Sequence, residues 1–233
     1  MSKIILTASE SSGNIKNEAV KDQKKTIEAL AVLTSSISHE LKNDLAAISL
    51  CADTSLHSIC KKAKAAAFFL DDLQLMIKSV IVGKPNKEDF KICSMSQSID
   101  EALEQYPFQN GECDLIHIEA SCDFKYLGSV TLTNHILFNL IKNSLRAINS
   151  VNRGEIYIRL ETGQKFNRLL LKDTATGIPK DFASKMFGLF ESQGGTGIGL
   201  AYCDRIMQSY GGDINCSTED GKYTEFTLIF PRV

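Results

Sequence analysis

Apolar positions repeat with two different periods along this chain, and the change of period divides it. From Ile59 the residues Ala63, Ala66, Leu70, Leu73, Ile77 and Val80 follow alternating spacings of four and three. That is the seam of a coiled coil or helical bundle. Upstream, Ile27, Leu30, Thr34, Ile37, Leu41, Asp44 and Ile48 fall on a similar row, interrupted at Thr34 and Asp44 and widened by Leu45. The turn-prone run Asp53-Thr-Ser-Leu-His-Ser58 separates the two rows. The pattern predicts a helical hairpin over residues 22–83, preceded by a segment 1–21. Two helices bury little surface alone, so a homodimer in which a second copy completes a four-helix bundle is expected; the alternative is a hairpin packed against its own C-terminal domain.

The polar stretch around Gly83-Lys-Pro-Asn-Lys-Glu-Asp89 predicts a linker over residues 84–93. Beyond it the pattern mixes periods. Helices are predicted at Met95–Gln105, Leu132–Ile148 and Gly197–Tyr210, the last ended by Gly211-Gly212. Strands are predicted at Leu115–Glu119, at the alternating Glu155–Glu161, at Leu169–Leu171, at Asp213–Cys216 and at Thr224–Phe230. Residues 94–233 therefore form a mixed domain with a sheet covered by helices on one face. The whole is α+β, a helical hairpin followed by an α/β sandwich.

Composition narrows the class. Hydrophobic residues make up 43% and charged residues 23% of 233, which excludes disorder and fibrous repeats. A net charge of −2 gives no whole-chain basic footprint for nucleic acid. The longest apolar run, Ala65–Leu70, is too short for a membrane span, and the first residues lack a cleavage pattern. The seven cysteines show no Cys-x-x-Cys pair, so they read as free, mostly buried thiols of a reducing, cytoplasmic compartment.

Three segments carry candidate chemistry. Gly195-Thr-Gly197-Ile-Gly199 stands directly before an apolar helix, where backbone N–H groups and a helix N-terminus suit phosphate oxygens. It is neither a dinucleotide fingerprint nor a P-loop; a plain glycine turn is the competing reading. Asp173, in Leu171-Lys-Asp-Thr-Ala-Thr-Gly177, leaves an apolar strand at a glycine turn. An ionised carboxylate only accepts hydrogen bonds, which fits an exocyclic amine such as adenine's; a turn-capping Asp is the alternative. Asn139 and Asn143 share one helix face, where amide oxygens suit magnesium or serve packing.

In this order the segments resemble the ATP-binding domain of histidine kinases, a fold shared with DNA gyrase B, the mismatch-repair ATPase and a heat-shock chaperone. NLIKNSLRAI is similar to the asparagine box, KDTATGIP to the first glycine box, MFGLFES (with Phe187 and Phe190) to the phenylalanine box and GGTGIGLA to the second glycine box. The run Gly221–Pro231 resembles the closing strand, with Thr224 at the family's threonine. Ser38-His-Glu-Leu-Lys-Asn-Asp-Leu45 resembles the histidine box in the first hairpin helix. NHILFNLIKNSLRAI, GIGLAYCDRIMQSYGG and YTEFTLIFP further resemble membrane-bound quorum-sensing kinases for α-hydroxyketone signals.

The resemblance implies ATP and magnesium as cofactors. It implies His39 as phosphoacceptor, Glu40 as its acid/base helper, and Asn43 as the position that orients water for dephosphorylating a response regulator. Asn143 would ligate magnesium, with Asn139 and Arg146 at the phosphates. Asp173 would read adenine, with Gly177 giving room, and Gly195, Gly197 and Gly199 would cradle phosphates at the end of a mobile lid over residues 179–194. The partner implied is a receiver domain on a separate protein. Asn139 stands where gyrase-type ATPases carry a glutamate, which favours transfer to His39 over hydrolysis.

Two positions depart from the pattern: Ala175 replaces the first glycine of its box, and Asp44 replaces the proline after the histidine. Ala175 is the feature that would favour a rival reading, a non-catalytic phosphotransfer or interaction protein with a degenerate ATP domain. The roughly 20 residues before the hairpin are too few for a sensor domain. The expectation is a kinase that takes its signal from another protein, or the cytoplasmic core of a longer receptor.

Overall fold

The computed structural model describes Leu70, Pro85 and residues 87–109, 111–119, 122–189, 191 and 197–233. Apart from Leu70, the expected hairpin of residues 22–83 lies outside the described residues. In chain order the described elements are β1 (Lys91–Ser94), α1 (Met95–Gln105), β2 (Ile116–Ile118), β3 (Lys125–Gly128), α2 (Val130–Val151), β4 (Ile156–Glu161), β5 (Phe166–Asp173), α3 (Lys180–Ala183), α4 (Gly199–Ser209), β6 (Asp213–Glu219) and β7 (Tyr223–Pro231). The fold is α+β with a mixed sheet.

Five strands pair in the order β2-β4-β5-β7-β6. Only β2–β4 is parallel; the other ladders are antiparallel. Strands β1 and β3 make a separate antiparallel pair, with Ile92 opposite Leu127. The last residues of the expected linker are thus the strand β1.

Period-two alternation decides which sheet face is covered. Ile156, Ile158 and Leu160 of β4, Leu169 and Leu171 of β5, and Phe226, Leu228 and Phe230 of β7 are all at most 3% exposed. They join Ile136, Leu140 and Ile141 of α2 and Ile206 and Met207 of α4 in one core. Each such side chain contributes about 1.5–3 kcal/mol by leaving water. The opposite face carries Tyr157, Arg159, Lys172 and Glu225, none of them buried.

Helix boundaries follow from capping. Ser94 Oγ accepts from Gln97 N at 3.2 Å at the start of α1. Asp123 takes Ser96 N at 2.9 Å and the Ser94 hydroxyl at 2.8 Å. Helix α2 begins two residues before the predicted Leu132, because Ser129 accepts from Leu132 N. It ends at Asn152, which is left-handed with φ 50°.

Candidate functional site

Strand β5 places a carboxylate in the apolar layer. Asn167, Leu169, Leu171 and Asp173 occupy its inward row, and Asp173 is 2% exposed. Its cross-strand neighbours are Ile156 on β4 and Thr224 on β7. Each oxygen has a donor: Ser144 Oγ donates to Oδ2 at 3.2 Å, and Ala175 N donates to Oδ1 at 3.2 Å. Burial pushes the carboxyl up from 3.8 to about 6, against the pull of hydrogen bonds from Ala175 N, the Ser144 hydroxyl and the Thr224 main chain. Above that pH it is a buried acceptor with lone pairs to spare.

The turn after β5 is tied to the β6–β7 hairpin. Gly177 has φ +67°, and a Cβ there would stand 2.1 Å from the Glu219 carbonyl oxygen. Only glycine fits both conditions. Gly221 N donates to Thr176 O, and Ile178 N donates to Thr218 Oγ1 at 2.8 Å. Ala175 needs no such freedom: among the described non-glycine residues only Asn152 has positive φ, and the Ala175 methyl is fully buried in the core. The missing glycine therefore leaves the turn unstrained.

The second cluster sits where α2 meets α4. Asn139 is 6% exposed, and its Nδ2 donates to the His135 carbonyl at 2.8 Å. Its Oδ1 lies so close to Gly199 that a Cβ there would come within 2.4 Å of it. Gly197 turns into the helix with φ +68°. The start of α4 thus packs directly on the asparagine amide.

Asn143 and Arg146 lie on the exposed side of α2. Asn143 offers a neutral amide oxygen, a hard donor fit for magnesium. No cluster of three or more His, Cys, Asp or Glu occurs among the described residues. A magnesium ion here would take most of its oxygens from a phosphate chain and water, which is its usual habit.

Helix α2 therefore meets Asp173 through Ser144 and the start of α4 at Gly199 through Asn139. Gly195 lies outside the described residues, as do Phe190, His39, Glu40 and Asn43. Residues 179–189 are anchored by the fully buried Met186 and by Phe182 and Phe187 against the core. Sequence reasoning missed Ser144, which is 1% exposed. The signal was available: a hydroxyl on the apolar stripe of a helix needs a buried partner.

The family described as "Histidine kinase-, DNA gyrase B-, and HSP90-like ATPase" matches residues 128–233. The autoinducer 1 sensor kinase/phosphatase LuxN of Vibrio campbellii is 32% identical over 218 residues, covering 86% of this chain and 26% of the relative. The CAI-1 autoinducer sensor kinase/phosphatase CqsS of Vibrio cholerae is 28% identical over 182 residues, 76% of this chain and 26% of the relative. The chain thus spans about a quarter of the length of these relatives. The solved catalytic domain of histidine kinase ThkA superposes with a TM-score of 0.53 at 22% identity, covering 61% of this chain and 98% of that one. That likeness establishes the fold of the C-terminal part. No helix among the described residues is long and apolar enough to cross a membrane.

Proposed function

We propose that this chain, whose residues 128–233 match the histidine kinase-, DNA gyrase B- and HSP90-like ATPase family, is a sensor histidine kinase core that phosphorylates its own His39 from ATP. The observation that carries the reading is the buried, donor-fixed Asp173 four residues before the left-handed Gly177 turn. An apolar core keeps such a group only at a cost, and an adenine amine is the donor it suits.

The roles divide as follows. Asp173 accepts from the purine amine, with Gly177 and Thr224 shaping that end. Gly195, Gly197 and Gly199 offer main-chain N–H groups at the start of α4 to the phosphates, with Asn139 beside them. Asn143 would hold magnesium, which would supply neutralisation of phosphate charge, and Arg146 adds a cation. His39 attacks the γ-phosphorus through a ring nitrogen. The N–P bond forms, the bond to the bridging oxygen breaks, and ADP leaves. Glu40 polarises the imidazole and takes its proton. The phosphoryl group then passes to an Asp of a separate receiver protein, and Asn43 orients water for the reverse, phosphatase function. Residues 22–83 pair as a dimeric bundle that presents His39, joined through the linker to the ATP domain. Asn139 is an amide and cannot act as the base of a gyrase-like hydrolase.

The experiment is incubation of the full chain with γ-labelled ATP and magnesium. The expected result is an acid-labile, base-stable label that is absent in His39→Gln. Failure to label or bind ATP overturns the proposal. Phosphate release that is indifferent to His39→Gln points to hydrolysis instead.

A further inference from the structure

We infer that Ser144 is a positioning residue for purine recognition: its hydroxyl fixes the orientation of the Asp173 carboxylate and so sets the preference for a 6-amino purine. The inference rests on the reading of Asp173 as the adenine contact. Ser144 lies on α2, one residue past Asn143, and is 1% exposed. Its Oγ donates to Asp173 Oδ2 at 3.2 Å. The other carboxylate oxygen is held from the turn by Ala175 N, also at 3.2 Å. A planar group pinned at both oxygens, from a helix and from a turn, cannot rotate about its last bond without losing a partner. The purine amine then meets a lone pair of fixed direction.

Among the described residues, Ser144 is the side-chain hydroxyl that bonds this carboxylate. Strand β4 presents Ile156, β7 presents Thr224 through its main chain, and β6 presents Cys216. Burial, with the charges of Asp173 and Glu225, pushes the Cys216 thiol up to about 12, so it stays neutral and supplies no charge. Removing the Ser144 hydroxyl takes away one of the hydrogen bonds that favour the ionised carboxylate. A purine amine bonds more strongly to that ionised form. Binding is therefore strongest above the carboxyl's pKa and weakens as pH falls through it. Without Ser144 the loss begins at higher pH.

The test is titration calorimetry of the full chain with magnesium ATP and magnesium inosine triphosphate, which carries a carbonyl in place of the amine. It is repeated from pH 5 to 8 for the parent, Ser144→Ala and Ser144→Cys. Both replacements are small enough for the buried site. In Ser144→Ala the affinity for ATP falls about tenfold, because the carboxylate that meets the amine is no longer held in direction. The affinity for inosine triphosphate changes little, so the selectivity ratio collapses and the pH midpoint rises. Ser144→Cys, a weak donor, falls between. Equal losses for both nucleotides, or an unmoved ratio and midpoint, overturn the inference while leaving ATP binding intact. A parent chain that binds no ATP refutes the kinase reading itself, and this inference with it.

Discussion

Asp173→Asn is expected to make this protein more stable and less functional at once. The carboxyl titrates at about 6 when folded and at 3.8 ordinarily. Its folded pKa is raised, so folding is disfavoured wherever the group is ionised. The penalty is absent below 3.8, grows as pH rises toward about 6 and is complete above it. A difference of about two pK units corresponds to about 3 kcal/mol at pH 7.5. Asparagine removes the charge. Its carbonyl still accepts from Ala175 N, and its amide donates to Ser144 Oγ. The Thr224 main-chain hydrogen bond loses its acceptor, which costs about 1 kcal/mol. The net gain is about 2 kcal/mol, or about 5 °C in melting temperature for a domain of this size. At pH 4.5 the penalty in the parent has fallen to about 1 kcal/mol, so the two melting curves nearly coincide. Meanwhile affinity for ATP at pH 7.5 falls at least tenfold, because a charge-assisted bond to the purine is gone. The assay is thermal unfolding of both proteins at the two pH values, with calorimetric titration of ATP alongside. An Asn variant less stable than the parent at pH 7.5, or a gap that does not narrow at pH 4.5, refutes the argument.

Two glycine substitutions separate stability from binding. Gly177→Ala forces a side chain into φ +67° and against the Glu219 carbonyl, so urea unfolding is expected to show a loss of more than about 2 kcal/mol. Gly199→Ala instead meets the tip of the Asn139 side chain. That amide must turn away from His135 O, while alanine favours the helix. Melting temperature is then expected to change by a few degrees at most while calorimetry records about a tenfold loss of magnesium ATP affinity.

The helices and long strands were legible because their periods survive tertiary packing. Strand β5 is longer than its apolar Leu169–Leu171, since the flanking Asn167 and Asp173 keep the inward register with polar side chains. Strands β1 and β3 left little trace. Each has four residues, and their paired Ile92 and Leu127 are 65% and 47% exposed, so hydrophobicity does not mark a covered face. Asp173, Gly177 and Asn139 could be read because each is a residue type the local pattern does not want. Ser144 gave a weaker signal, a lone hydroxyl on the apolar stripe of α2, and only its burial against β5 shows which group it serves.

That contrast bears on what kind of site this is. A sequence selected for packing alone has no use for a carboxylate in the inward row of β5, an amide wedged against the start of α4, and a left-handed glycine pressed on a carbonyl. Each lowers local consistency: the carboxylate is held by Ser144 of α2, the amide belongs to Asn139 of the same helix, and the glycine sits in the turn that follows β5. Such departures are expected where function is maintained at the expense of stability. Ala175 is the control. It breaks the family's glycine pattern yet breaks no physical rule, because its backbone needs no left-handed turn and its methyl is buried in the core. The departure that seemed to argue for a degenerate pocket is thus a packing substitution, and the groups that would face a nucleotide keep their geometry around it.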